Sequence, residues 1–180
     1  MKHKENVANL SISNTVQFKL QDAFEQYKQH IAIVYGSHNY TYEEIELASN
    51  QVSEWLFING MGNGKHIALC IQDRVELIIW VIGILKSRSV FIPLDYNQPK
   101  VRLKQLLNIG DAVTLITDCI NKQQFKCKIP ISEVSLYKDI NFSERSNGKS
   151  VEAPIPLGED KVYIYFTSGS TGIPKAILGK

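Results

Sequence analysis

Apolar residues recur along the first 117 positions in two alternating patterns, one with helical spacing and one of short unbroken runs. The first pattern is typical of amphipathic or buried helices, and the second of buried strands. The predicted strands are 31–35, 65–71, 89–94 and 112–117, and the predicted helices are 15–30, 41–60, 74–86 and 99–110. Helices that alternate with apolar strands favour a parallel sheet covered on both faces. We therefore predict an α/β fold of three layers, a mostly parallel sheet with helices on both faces.

Local signals mark several element ends. Thr41 is followed three positions later by Glu44, the pattern of a capping box at a helix start. Gly60 supplies a stop for that helix, and Pro99 suits the first position of the last one. The turn 36–39 separates strand 31–35 from a second extended stretch, which predicts a hairpin.

Composition and charge exclude several classes of protein. The chain has 20 basic and 18 acidic residues, a net charge of +2, which gives no reason to expect nucleic acid or a membrane surface as a partner. Helix 74–86 is apolar almost all round but much shorter than the ~20 residues of a membrane span. The N-terminus has no apolar core typical of a secretory signal. The three cysteines are an odd number without a C-x-x-C pair, which fits a reduced, cytoplasmic setting.

The pattern weakens after position 117. A short strand is predicted at 128–132, and the polar stretch 138–153 is typical of a long flexible loop. A new extended run begins at 176–178, just before the last residue. A natural domain rarely ends within a strand, so we expect 1–180 to be a piece of a longer protein.

The strongest candidate for chemistry follows a β-branched and aromatic run at 162–166, predicted to be a buried strand. The residues after this run combine hydroxyls, two glycines and a lysine: Thr167, Ser168, Gly169, Ser170, Thr171, Gly172 and Lys175. Glycines allow the backbone N–H groups to approach a ligand, and hydroxyls and an ammonium suit phosphate. The loop is therefore predicted to bind a polyanion. It is not a Walker A motif, because its glycines are three apart and no lysine follows one of them. A solvated Ser/Gly connection is the alternative.

Three segments in order resemble the adenylation domains of nonribosomal peptide synthetases, within the adenylate-forming (AMP-binding) enzymes. YTYEEIELASNQVSEWL at 40–56 is similar to the first helix motif of that family. LKSRSVFIPLDYNQPKVRLKQLL at 85–107, followed by LITD at 115–118, is similar to its second motif. VYIYFTSGSTGIPK at 162–175 is similar to its phosphate-loop signature, and the resemblance covers about the first third of an adenylation domain.

The resemblance implies that a carboxylic acid, here an amino acid, attacks the α-phosphorus of ATP and forms an acyl-adenylate with release of pyrophosphate. The acyl group would then pass to the phosphopantetheine thiol of a carrier protein. The six loop residues would surround the β- and γ-phosphates, with Lys175 as the catalytic cation.

The resemblance also implies Mg²⁺, whose ligand is expected outside 1–180. The rest of the synthetase is expected to be a partner. The fragment alone is expected to be inactive. The alternatives are an acyl- or aryl-CoA ligase and a non-catalytic split fragment that binds a partner.

The sequence departs from the family pattern at one position, and three polar residues of the second motif are not assigned a catalytic role. Ala176 stands where the family usually has glycine, which would be costly if that position required a positive φ. Asp95 is interpreted as an architectural residue at a strand end, and Arg102 and Lys104 as the solvated face of a helix.

Overall fold

The computed structural model of the protein describes residues 15–118, 120, 125–133, 160–168 and 174–180. Its helices are α1 (Val16–Gln26), α2 (Tyr42–Ile58), α3 (Arg74–Lys86) and α4 (Lys100–Ile109). Its strands are β1 (Ile31–Tyr35), β2 (His38–Thr41), β3 (His66–Cys70), β4 (Val90–Pro93), β5 (Thr114–Thr117), β6 (Ile131–Glu133), β7 (Tyr163–Thr167) and β8 (Lys175–Gly179).

Six strands form the main sheet in the order β6-β5-β3-β4-β7-β8. Every neighbouring pair from β6 to β7 is parallel, and only β8 runs antiparallel to its neighbour β7. β1 and β2 form a separate antiparallel hairpin, as predicted, but the turn is shorter than 36–39, because β2 already begins at His38. The prediction of a mostly parallel sheet is confirmed.

Alternate residues of the central strand β3 support two separate cores. Ile67 and Leu69 pack with the buried side chains of α1, α2 and α3 on one face of the sheet. Ala68 and Cys70 pack with α4 on the other face. Because successive side chains of a strand point to opposite faces, one short apolar strand serves both helical layers. The prediction of helices on both faces is therefore confirmed as well.

The helix ends follow the local signals, with one correction. The capping box is present, since the Thr41 N–H donates to Glu44 Oε2 at 2.7 Å and the Glu44 N–H donates to Thr41 Oγ1 at 3.2 Å. Gly60 ends α2 in the left-handed region with φ 68°. The placement of Pro99 as the first helical residue is wrong by one position. Its ψ of 141° is extended, so it caps α4 from outside.

The weaker predictions have mixed outcomes. The strand predicted at 128–132 is β6, which begins three residues later, at Ile131. The loop predicted at 138–153 lies outside the described residues. Among the residues that are described, none of the helices has both the length and the hydropathy needed to cross a bilayer.

A lysine at the end of α3 ties together three helices. Lys86 Nζ donates to Asn50 Oδ1 at 2.6 Å and to Ser49 Oγ at 2.9 Å, and it lies 4.6 Å from the centre of the Phe24 ring. Burial lowers the pKa of Lys86 to about 8, and the nearby carboxylate of Glu46 opposes that shift. The free-energy cost of burying the ammonium is thus larger than the stabilisation that it gains from these neighbours.

This shift predicts a pH dependence of stability. Between pH 8 and 10.5 the unfolded chain holds more protons at Lys86 than the folded chain, so the contribution of this site to the unfolding free energy rises with pH. Lys86→Met should remove that rise. Urea unfolding of both proteins at several pH values across this window measures it, with Lys19→Met on the exposed face of α1 as the control. Parallel pH profiles for the unaltered chain and Lys86→Met would contradict the prediction.

Candidate phosphate-binding site

Strand β7 carries the candidate loop to the edge of the sheet where the parallel strands end. It pairs with β4, which places its carboxyl end beside the carboxyl ends of β4, β3 and β5. In open α/β sheets, ligands bind in the crevice outside this edge. The prediction that this strand is buried is only partly correct. Ile164 is buried, but Tyr165 is 50% exposed, because no helix among the described residues covers that face of β7.

β7 and β8 form a hairpin that brings the predicted lysine back to the first predicted hydroxyl. In the β7–β8 register, Lys175 lies directly opposite Thr167. Side chains that are directly opposite in an antiparallel pair project on the same face, with Cβ atoms about 4.5–5.5 Å apart. Thr167, Ser168 and Lys175 are all exposed, so their polar groups are open to a ligand.

The other four residues predicted to bind phosphate, Gly169, Ser170, Thr171 and Gly172, lie outside the described residues. Pro174, immediately before β8, is buried and anchors the returning chain. The two described ends of the loop, Ser168 and Pro174, thus adjoin the Thr167–Lys175 pair at one point of the sheet edge.

Ala176 causes no backbone strain. It lies in the extended strand β8 opposite Phe166, and the residues with positive φ among those described do not include it. The usual glycine is therefore not required here by backbone conformation, and alanine is accommodated.

Two aspartates organise the neighbouring strand ends. Asp95 accepts hydrogen bonds from the N–H and the side-chain amide of Asn97, at 2.9 and 3.1 Å, in a tight turn after β4. Its predicted architectural role is confirmed. Asp118, after β5, accepts from the N–H groups of Gln72 and Asp73 at 2.8 and 2.9 Å.

The role of Asp118 is to fix the start of α3. Asp73, which it holds, caps that helix by accepting from the N–H groups of Val75 and Glu76. The sequence analysis did not predict this role, although Asp118 is the last residue of the LITD segment. Its position directly after a buried strand could have indicated it, because such a carboxylate lies at the edge where the parallel strands end.

Arg102 and Lys104 are less solvated than predicted. Both are half-buried on α4, and Lys104 Nζ lies 5.5 Å from the centre of the buried Phe125 ring. Lysine covers apolar surface with its stem while its charge stays near water. The predicted solvated face is therefore only partly solvated at these two residues, and their predicted position on a helix is correct.

A charged pair fixes the opposite end of β7. Arg88 Nε donates to Asp160 Oδ2 at 2.8 Å, and its Nη2 donates to Oδ1 at 2.9 Å. This hydrogen bonding raises the pKa of Arg88. A cleft of about 570 Å³ lies beside the pair and includes His66 and Lys161. Because it lies at the amino ends of β3 and β4, it is on the far side of the sheet from the hairpin loop.

The described residues do not provide a metal site. No group of three or more His, Cys, Asp or Glu side chains among them is arranged to hold an ion. The carboxylates of Asp95 and Asp118 at the relevant edge accept backbone hydrogen bonds instead. These residues therefore do not fit Mg²⁺, and we assign them no step that involves it.

The chain is similar in sequence to parts of two peptide synthetases. Bacitracin synthase 1 of Bacillus licheniformis is 32% identical over 151 residues, which are 83% of this chain and 3% of that protein. Gramicidin S synthase 2 of Brevibacillus brevis is 29% identical over 165 residues, 91% of this chain and 4% of that protein. The chain thus spans only a small part of these relatives.

A solved structure shares the fold. The Klebsiella oxytoca NpsA N-terminal subdomain in complex with 3-hydroxybenzoyl-AMSN superposes with a TM-score of 0.78 at 22% identity, over 91% of this chain and 40% of that one. The profile of the AMP-binding enzyme family matches residues 20–179, nearly the whole chain. The chain therefore belongs to the AMP-binding enzyme family.

Proposed function

We propose that this chain supplies the pyrophosphate-holding part of an ATP-dependent, adenylate-forming ligase that activates an amino acid. The observation that carries the proposal is the pairing of Lys175 with Thr167 at the mouth of the hairpin loop. It puts a cation and hydroxyls together at the ligand-binding edge of a parallel sheet. Membership of the AMP-binding family and the similarity to peptide synthetases support ATP as the nucleotide and an amino acid as the substrate class.

In the proposed reaction this chain binds the phosphates and neutralises part of their charge. A carboxylate attacks the α-phosphorus of ATP, the bond to the bridging oxygen breaks, and pyrophosphate leaves with the electron pair. Negative charge grows on the leaving group, so donors placed around the β- and γ-phosphates stabilise the transition state. Thr167 and Ser168 would donate through hydroxyl and backbone N–H groups, together with Gly169, Ser170, Thr171 and Gly172. The Lys175 ammonium would neutralise part of the charge.

The second half of the reaction would use groups that the described residues do not contain. The acyl-adenylate would pass its acyl group to the phosphopantetheine thiol of a carrier protein, with AMP as the leaving group. One similar structure is described as NpsA-ThdA, an artificially fused adenylation-PCP di-domain from Klebsiella oxytoca, with a TM-score of 0.79 at 22% identity and coverage of 91% of this chain and 32% of that one. We propose a carrier protein as the partner on the strength of the peptide-synthetase relatives.

A ligand titration tests the phosphate role directly. In two-dimensional NMR of the 180-residue chain, pyrophosphate and ATP should shift the same backbone resonances, those of Thr167, Ser168 and Lys175. AMP, which lacks the β- and γ-phosphates, should leave them unchanged at the same concentration. ATP–pyrophosphate exchange with mixed amino acids should be undetectable for this chain alone, because we propose that it supplies only the pyrophosphate-holding part of the enzyme.

Two results would contradict the proposal. One is a chain that binds neither pyrophosphate nor ATP, which would favour a non-catalytic partner-binding fragment. The other is binding of AMP as tightly as ATP, which would place the recognised group on the nucleoside rather than on the phosphates.

A further inference from the structure

The alignment of Lys175 with Thr167 depends on the register between β7 and β8, and ordinary burial does not set that register. Lys175, Ala176, Ile177 and Leu178 of β8 are all exposed. Strand register is strongly specified where one face is buried and weakly specified where it is not. A separate feature must therefore hold β8 in place.

One glycine of β8 has a distinctive neighbour. Gly179 lies opposite Tyr163 in the register, and a Cβ at position 179 would overlap the Cζ and hydroxyl of the Tyr163 ring. The tyrosine ring thus lies over the glycine, in space that the side chain of any other residue would fill. Lys175 and Ile177 are the other two residues on this face of β8. Either side chain would exclude the ring if it were opposite Tyr163.

The tyrosine ring is itself held by neighbours. Its centre is 5.0 Å from that of Tyr165 and 6.2 Å from that of Phe91, in edge-on and tilted arrangements. Phe91 belongs to β4 and is the parallel partner of Tyr163. The position of the ring is therefore tied to a strand in the interior of the sheet, and aromatic pairs of this kind add stability beyond their buried area.

We propose that Tyr163 and Gly179 form a register pin that places Lys175 opposite Thr167, and so positions the lysine of the phosphate site. A slip of two residues keeps the side chains on the same face but sets Ile177 against Tyr163 or against Thr167. In neither arrangement does Lys175 lie opposite Thr167. This inference rests on the proposed function for its consequence, although the contact between Tyr163 and Gly179 exists without a ligand. Both residues act through Lys175 and are positioning residues.

The register can be measured in the ligand-free chain. Cross-strand nuclear Overhauser effects between Thr167 and Lys175 report the pairing, and the ring current of Tyr163 displaces the Gly179 Hα resonance. Gly179→Ala should abolish the Thr167–Lys175 effect and weaken pyrophosphate binding by roughly tenfold or more, the loss of one charged hydrogen bond. Leu178→Ala, on the opposite face of the same strand, should preserve the cross-strand effect and the affinity.

Variants of the tyrosine separate a register pin from a general loss of structure. Tyr163→Phe keeps the ring and should retain the register, whereas Tyr163→Leu should lose it without adding bulk at position 179. Gly179→Ala should cost much less stability in the Tyr163→Leu background than in the unaltered chain, because the overlapping ring atoms are gone.

Three results would overturn the inference. The first is an intact Thr167–Lys175 Overhauser effect in both Gly179→Ala and Tyr163→Leu. The second is an equal loss of stability from Gly179→Ala in the unaltered chain and in Tyr163→Leu. The third is unchanged pyrophosphate affinity after the register is lost. If the unaltered chain does not bind pyrophosphate, the proposed function fails, and the ligand-free measurements alone decide whether the pin exists.

Discussion

Lys175→Ala should weaken the binding of pyrophosphate to this chain by roughly tenfold to a hundredfold, the value of one hydrogen bond from a charged group. The lysine lies at the start of β8 opposite Thr167, so its ammonium is the described cation nearest in register to the predicted loop. Isothermal titration calorimetry measures the change. The far-UV circular dichroism spectrum should not change, because the side chain is exposed and contributes little to packing.

Two matched variants sharpen this prediction. Lys180→Ala removes the same charge just beyond the other end of β8 and should have an effect of no more than about twofold, since the interaction is screened over such a distance. Lys175→Arg keeps the charge but replaces a compact ammonium by a planar group, so it should restore only part of the affinity. Equal effects of the two alanine variants would remove the specific role of Lys175 and leave only general electrostatic attraction.

Trp80→Ala should destabilise the fold by about 3–5 kcal/mol, the usual range for truncating a fully buried Trp or Phe. Trp80 of α3 is completely buried, and its ring lies 5.8 Å from that of Trp55 of α2 in an edge-on contact. Because the two helices pack on the same face of the sheet as Ile67 and Leu69 of β3, a cavity between them weakens the core on that face. Urea unfolding followed by far-UV circular dichroism measures the loss.

The indole nitrogen of Trp80 provides the control. Among the described residues, Nε1 has no hydrogen-bond acceptor, so the N–H group contributes burial cost without a compensating bond. Trp80→Phe removes that donor and keeps most of the aromatic volume, and it should cost less than half as much as Trp80→Ala. A loss as large as that of the alanine variant would contradict this expectation.

Local chemistry explains why much of the fold was predictable. α3 was predicted at 74–86 and has those bounds, because the unbroken apolar run at 77–85 between charged residues is typical of a buried helix. The start of α2 followed from Thr41 and Glu44, which satisfy each other's backbone N–H groups within one turn. Signals of this kind need no knowledge of the rest of the chain.

Features that depend on distant contacts were not predictable in the same way. Arg88, just after α3, has φ 56°, a conformation for which the sequence offers no glycine, and its side chain pairs with Asp160, 72 positions away. Asp118 binds a turn 45 and 46 positions earlier. Neither partner can be inferred from spacing, because the sheet order brings them together.

The amino-acid sequence by itself determined the layered α/β architecture, the strand that leads to the predicted phosphate loop and the residue types of that loop, since periodicity and local turn chemistry specify these. Only the tertiary structure decided which of those residues meet. The antiparallel return of β8 sets Lys175 against Thr167, and the fit of Tyr163 over Gly179 selects that register. The physical reason is that β8 buries too little apolar surface to align itself, so its alignment depends on one steric contact between strands.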